Sequence, residues 1–239
     1  VKLACICCTY LRAHLLGHLI RSFLEQDYPR GLAELIILDD AGEYRSQKGD
    51  GWTLISIPRR FSHLGLKRNA ATALAQVDAE AFCVWDDDDL YLPHALKTTA
   101  AALEKAPLSR PSQVLYEDGH RRFRRHETGG LYHGGWAYRR EAFHKVGGYG
   151  PHDNGEDQEF LARLIAAGIE TVDPLADGAD PFYVYRACAS SYHLSSEGQF
   201  GYRDLGSRRP DGLINAVNVH WPYDLGAAEI LPEVHPRPF

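Results

Sequence analysis

The stretch Ala81-Phe82-Cys83-Val84-Trp85-Asp86-Asp87-Asp88-Asp89-Leu90-Tyr91-Leu92-Pro93 sets the reading of the whole chain. Residues 81–85 are apolar without polar alternation, the pattern of a strand buried on both faces. The run stops at four adjacent carboxylates, which repel one another and are costly to hold together without a cation or solvent. Pro93 suits the first turn of a helix, and Leu90, Leu92, Leu96 and Leu103 recur along one side of it. A strand that ends in acid before a helix places carboxylates at the C-terminal edge of a parallel sheet, where α/β proteins bind ligands. The acids are then either a solvated loop at a helix N-terminus or a site for a divalent cation with oxygen ligands, Mg²⁺ or Mn²⁺. So tight a run beside a buried strand favours the cation.

Upstream, the same grammar repeats. Residues 1–8 read as a buried strand ending at Thr9 and Tyr10. Leu15, Leu16, Leu19, Ile20, Phe23 and Leu24 then recur at helical spacing. Residues 35–38 form a second strand, which also ends in acid at Asp39 and Asp40, and 53–57 a third. Residues 66–74 form a helix with Lys67, Arg68 and Asn69 near its start. Alternating strands and helices imply right-handed crossovers and a largely parallel sheet.

The second half is less regular. Strands are expected at 114–116, at 131–138 with a glycine kink (LYHGGWAY), and at 182–185. Residues 140–145 form a short helix ended by Gly147-Gly148. Residues 156–167 form a longer one, with Phe160, Leu161, Leu164 and Ile165 on one face. From 195 onward no periodicity is visible.

Composition is that of a globular protein, with 44% hydrophobic and 24% charged residues, and 239 residues can bury a substantial core. A formal charge of −6 argues against a nucleic-acid binder. The basic run HRRFRRH at 120–126 reads as a solvated loop or as a strip for phosphate or acceptor. No apolar run approaches the roughly 18 residues of a membrane span, and no signal-peptide pattern is visible. Methionine is absent even at position 1, as expected if the first residue was removed or the numbering trimmed. Cys5, Cys7 and Cys8 share one strand at a spacing that suits neither a zinc ribbon nor a disulfide framework. They read as small core residues in a reducing cytoplasm.

Four separated motifs together resemble the family two glycosyltransferases of the GT-A fold. They are Cys8-Thr9-Tyr10, Leu38-Asp39-Asp40, the D-x-D within Asp86 to Asp89, and Gly155-Glu156-Asp157. Residues 65–70 (GLKRNA) and 183–195, with His193, are also similar to segments of that family. The resemblance implies a mostly parallel, Rossmann-like sheet flanked by helices and an irregular C-terminal acceptor part. It implies one domain over 1–239, with 1–92 binding a nucleotide sugar and 93–239 the acceptor. Carried over, Thr9 and Tyr10 flank the base, with the Tyr10 ring stacked on it, and Asp40 accepts a hydrogen bond from it. Arg68 lies near the phosphates or orients the nucleotide strands, and Asp87 faces the ribose. Asp86 and Asp88 form the metal-binding D-x-D, with Asp88 as direct ligand, although four acids leave the register open by one.

The chemistry is coherent on its own terms. Breaking a sugar–phosphate bond leaves a diphosphate whose growing charge a divalent cation neutralises. The acceptor hydroxyl needs a base, for which Asp157 is the candidate beside Glu156. Asp157 is also read as acid placed for the helix dipole, and it is expected to face inward, with Glu156 at the margin. His193 is either a structural residue or part of the metal and diphosphate shell, and Trp136 either floors the acceptor pocket or belongs to the core. The expected activity is metal-dependent, inverting transfer of a sugar, UDP-linked by resemblance, to an acceptor hydroxyl. A sugar-phosphate nucleotidyltransferase needs a glycine-rich basic loop where this chain has CCTYLRAH. A non-catalytic carbohydrate- or cation-binding module leaves Glu156 and Asp157 without a task.

Overall fold

The apolar runs of the N-terminal half become neighbouring parallel strands. In the computed structural model, which describes residues 1–117, 122–186, 212–220 and 229–231, the first is β1 (Leu3–Thr9). It is followed by helix α1 (Ala13–Leu24), β2 (Ala33–Asp39), β3 (Gln47–Gly49), β4 (Trp52–Ser56), α2 (Leu64–Ala73) and β5 (Ala81–Val84). Then come β6 (Leu90–Tyr91), α3 (Ala95–Leu103), β7 (Leu108–Ser109), β8 (Gln113–Glu117), β9 (Arg122–Glu127) and β10 (Ala137–Arg139). The order closes with α4 (Arg140–Lys145), α5 (Glu156–Ala166), β11 (Thr171–Val172), β12 (Tyr183–Arg186) and β13 (Glu229–Leu231). The main sheet runs β11-β7-β10-β5-β1-β2-β4-β3, with β5, β1, β2 and β4 mutually parallel and β10 and β3 antiparallel.

Alternation along β1 divides the core in two. Leu3, Cys5 and Cys7 face one side, where Leu16, Leu19 and Ile20 of α1 and Leu96 and Leu103 of α3 pack on them. Ala4 and Ile6 face the other, against Ala71 of α2, Phe143 of α4, and Phe160, Leu161 and Leu164 of α5. Each large side chain so buried contributes roughly 1.5–3 kcal/mol. Cys5, Cys7, Cys8 and Cys83 are free thiols within this core. Burial pushes the Cys8 thiol up to about 11, which keeps it protonated and inert. Among the described residues no helix is long and apolar enough to cross a membrane.

A second sheet, β13-β9-β8-β12-β6, stands beside the first and corrects three expectations. Leu90 and Leu92 do not lie on a helix: Leu90 and Tyr91 pair with β12, and the helix opens only at Ala95. Two-residue alternation explains the pairing. Leu90 packs with Leu115, Phe123 and Val184, while Tyr91 turns the other way and stacks between Trp85 and Tyr183, with centroids 3.7 and 5.5 Å away. The basic run is no loop, since its described part, from Arg122, is strand β9, paired residue for residue with β8, and buries Phe123. Of residues 131–138 only Ala137 and Tyr138 belong to a strand, because 133–135 form a 3₁₀ turn. Gly134 makes that turn possible, since a Cβ there would run into the Tyr183 ring and hydroxyl.

Candidate functional site

Parallel pairing brings three strand ends to one edge. Thr9 lies opposite Asp39 in register, and β5, beside β1, ends just before the acids. The C-terminal edge therefore carries Thr9 and Tyr10, Asp40, and Asp86 to Asp89 together, at the position where open α/β sheets bind ligands. Helix α2 runs back across this edge and turns Lys67 and Arg68 onto it, both buried. Helix α5 opens over the same edge with Glu156 and Asp157.

The four aspartates are not equivalent. Asp86 accepts from Arg68 Nη1 at 3.2 Å. Asp87 and Asp88 share Arg12 Nη1, at 2.6 and 3.0 Å. Asp89, fully buried, accepts from the Tyr183 hydroxyl at 2.5 Å and from the Arg186 backbone N–H at 3.0 Å. Asp89 therefore ties the acidic loop to β12, while the first three acids face the arginines of the sheet edge. Asp87 Oδ2 is buried without a hydrogen-bond partner.

Asp40 is enclosed by cations: Lys67 Nζ lies at 2.5 Å, Arg60 Nη1 at 3.1 Å, and the Phe61 backbone N–H donates at 2.9 Å. Lys67 also donates to the Thr9 carbonyl at 2.5 Å. The Arg60 guanidinium lies 3.6 Å from the centroid of the Tyr10 ring and covers one face of it. Asp39, by contrast, is structural, since it accepts from Ala41 N, Glu43 N and Ser56 Oγ and pins the loop after β2. Glu43, under that loop, has its carboxyl pushed up to about 7, first by burial and then by Asp39.

Helix α5 corrects the expected orientation. Glu156 is the residue that faces in, 6% exposed, and it accepts from Arg68 Nε at 3.3 Å. Burial raises its carboxyl and Arg68 opposes that shift. Asp157 is half-buried, and its oxygens accept from the Gln158 backbone N–H at 2.8 Å and from Gln158 Nε2 at 3.2 Å. The reason is register: Glu156 sits four residues before Phe160 and eight before Leu164, both fully buried, whereas Ile165, placed on the inner face by periodicity, is 57% exposed. Trp136 is core, 1% exposed, with its indole N–H donating to the Gly130 carbonyl at 2.8 Å, so its ring is no acceptor-pocket floor. His193 lies outside the described residues.

Arg12, Arg60, Lys67 and Arg186 complete the edge and were not singled out by sequence reasoning. Lys67 had a signal in its place beside Arg68. The others have none, because their acidic partners are distant in sequence. Arg186 donates to the Asp88 carbonyl at 2.5 Å and, through Nη1, to His18 Nδ1 at 3.3 Å. That donor leaves the neutral His18 proton on Nε2, which points at His220 Nε2 3.2 Å away, while His220 Nδ1–H donates to the Asn218 carbonyl at 2.9 Å. Gly17 lets residue 218 this close, since a Cβ there would run into its carbonyl.

Burial, followed by Arg186 and His220, lowers His18 to about 4. His133, buried against the Tyr149 hydroxyl, is lowered in the same direction. Both rings stay neutral in the fold while the unfolded chain takes up protons near pH 6.5. Stability is thus fully present above that pH and is lost as pH falls toward 4. Glu43, its carboxyl raised to about 7, works the other way in the same window, so the His18 contribution is read as a difference: between pH 7 and pH 5 the thermal midpoint of His18→Gln should rise relative to that of the parent. A midpoint with the same slope in parent and variant would count against the His18 contribution.

The family resemblance implies a divalent cation, and the residues here fit one. The donors of Asp86, Asp87 and Asp88 are all oxygen, as hard cations prefer, and Asp87 Oδ2 is a buried acceptor without a partner. Among the described residues no three His, Cys, Asp or Glu side chains form a closed metal cage. Mg²⁺ sites of this kind use one or two carboxylates and complete their shell with substrate phosphates and water.

Comparison with known proteins bears on the family and the fold. The family model for glycosyl transferase family 2 matches residues 4–135, more than half of the chain and all three strand ends. No curated protein matches the chain in sequence. Among solved structures, Staphylococcus aureus TarS 1–349 in complex with UDP-GlcNAc superposes with a TM-score of 0.64 at 15% identity, over 83% of this chain and 62% of that one. The mannosyltransferase PcManGT from Pyrobaculum calidifontis, in complex with GDP-Man and Mn²⁺, gives 0.59 at 20% identity, over 80% and 59%. This chain thus spans about three fifths of the length of either. Both likenesses show the expected GT-A architecture, and by the family match the chain belongs to glycosyl transferase family 2.

Proposed function

We propose that the chain is a metal-dependent, inverting glycosyltransferase that moves a sugar from a nucleotide-diphosphate donor to an acceptor hydroxyl. The observation that carries this reading is the convergence, on one sheet edge, of Tyr10, Asp40 and the Asp86–Asp88 carboxylates, with Arg68 joining Asp86 to Glu156 of α5. Residues 1–92 supply the donor side and 93–239 the acceptor side. The carboxylate of Asp40 suits a base that presents a ring N–H beside a carbonyl, as uracil and guanine do, and Lys67 and Arg60, which hold that carboxylate, flank it. UDP is favoured by the resemblance, and the ligands named for TarS and PcManGT are of this class. Asp87 faces the ribose. Asp86 and Asp88 hold Mn²⁺ or Mg²⁺, which when bound neutralises the leaving diphosphate. Asp157 takes the acceptor proton, while Glu156 orients Arg68. The free buried thiols suit a reducing cytoplasm.

A screen of nucleotide sugars, with and without Mn²⁺, tests the reading. Ligand at 100 times its Kd adds about 2.7 kcal/mol of stability, a shift easily seen in thermal unfolding. UDP-sugars should stabilise the protein chiefly with Mn²⁺ present and be consumed when a sugar acceptor is added. If no nucleotide sugar stabilises the chain or is turned over, the proposal fails. Within the same assay, Tyr10→Ala should weaken nucleotide binding about 5- to 150-fold, the equivalent of 1–3 kcal/mol of stacking, while Tyr10→Phe is mild. Equal losses from both changes would assign the effect to the hydroxyl instead of the ring.

A further inference from the structure

The Arg12 guanidinium occupies the space between two of the carboxylates that the proposed function gives to the nucleotide and its cation. Its Nη1 bridges Asp87 Oδ1 and Asp88 Oδ2 at 2.6 and 3.0 Å, and the Arg12 side chain is only 18% exposed against 2% and 4% for the acids. Two carboxylates this deep are costly without a positive partner, and a bridging guanidinium relieves much of that cost. The backbone is bent to bring it there. Leu11, just before Arg12, has φ of 55°, the left-handed region that a leucine adopts at a cost. The turn after β1 thus aims Arg12 at the acids. Arg68 and Arg186 differ in kind: Arg68 is also tied to Glu156, and Arg186 meets the acidic loop through backbone atoms.

We propose that Arg12 is an exchangeable counter-ion: it holds Asp87 and Asp88 together before the donor arrives, yields them when a divalent cation binds, and transfers its charge to the donor's diphosphate. The inference rests on the proposed function. A cation arriving alone must displace a guanidinium from two buried carboxylates and forfeits that ion pair. A cation arriving with a nucleoside diphosphate provides the displaced Arg12 with phosphate oxygens, which a guanidinium binds in a fork geometry. Cation and diphosphate therefore bind cooperatively, and by linkage each strengthens the other by the same factor. Arg12 makes the acidic loop a poor site for free metal and a good one for metal with donor.

The test is calorimetric titration of Mn²⁺, cross-checked by the loss of its free-ion resonance signal, in parent, Arg12→Gln and Arg12→Lys, alone and with saturating UDP or GDP. No turnover is involved. In the parent, diphosphate should strengthen Mn²⁺ binding at least 10-fold. In Arg12→Gln, Mn²⁺ alone should bind at least 5-fold more tightly than to the parent, and the enhancement by diphosphate should fall at least 5-fold without vanishing, because phosphate oxygens also ligate the cation. Arg12→Lys, which keeps a charge but cannot fork, should lie between, and it carries the test if the Gln variant does not fold. Mn²⁺ binding that is unchanged or weaker in these variants, or an undiminished enhancement, overturns the role of Arg12 alone. If the parent binds no Mn²⁺ even with diphosphate present, the metal-dependent reading itself falls and the inference with it.

Discussion

Asp157→Asn is expected to slow sugar transfer by about 10²–10⁴-fold while donor and cation affinity stay near those of the parent. General-base catalysis requires a carboxylate that can reach the acceptor hydroxyl and is not neutralised by a fixed cation. Under the proposed function Asp157 is assigned this role, since at the start of α5 it is half-buried and its hydrogen bonds go to Gln158. Glu156 meets neither condition, being buried against Arg68. Asparagine preserves the size of the side chain and its hydrogen bond to the Gln158 N–H, so the helix start should survive. Glu156→Gln should slow transfer less and weaken donor binding more, because it loosens Arg68 from its place beside Asp86. Single-turnover rates at saturating donor, set beside calorimetric donor affinity, separate the two effects. Should Asp157→Asn transfer at the parent rate while Glu156→Gln does not, the two roles are exchanged.

What the sequence showed of this arrangement depended on how far apart the cooperating residues lie. Strands β1, β2, β4 and β5 and helices α1 and α2 are apolar runs or amphipathic segments whose period is set locally, and each is legible by itself. Strands β3, β6, β7 and β11 are two or three residues long and carry no period, so their existence depends on the partner strand. Strand β9 is nearly all polar, and the backbone ladder to β8 with a single buried Phe123 holds it. Its charge suggested a loop because side-chain pattern does not report backbone pairing.

The site divides in the same way. The carboxylates at the strand ends stand out because acid is rare directly after a buried run. Which cations neutralise them is not visible, since Arg12 meets Asp87 from 75 residues away and Asp88 from 76. The exchange of Glu156 and Asp157 is a difference of about 100° around one helix, too fine for periodicity when the inner face is decided by Arg68 on another element. Trp136, between a glycine turn and a strand, was equally compatible with core and cleft until the Gly130 carbonyl was seen to satisfy its indole.

The acidic run offers a second large effect, because neighbouring aspartates are held by different partners. Asp88→Asn should abolish the part of nucleotide affinity that depends on Mn²⁺ and leave the fold intact, since Arg12 keeps Asp87 and removing one of four adjacent charges relieves repulsion. Asp89→Asn should do the reverse. Its carboxylate is fully buried and accepts from the Tyr183 hydroxyl and the Arg186 N–H. Asparagine can keep only one of these acceptors and turns an N–H₂ toward a donor. The cost should be about 3 kcal/mol, the upper range for a hydrogen bond to a charged group. For a chain of this size that corresponds to a fall of about 6–12 °C in Tm. Thermal unfolding and Mn²⁺-dependent UDP titration of the two variants then fix the register of the D-x-D. If Asp89→Asn keeps its Tm but loses Mn²⁺-dependent binding, and Asp88→Asn retains that binding, the metal-binding pair moves one residue along the run, from Asp86 and Asp88 to Asp87 and Asp89.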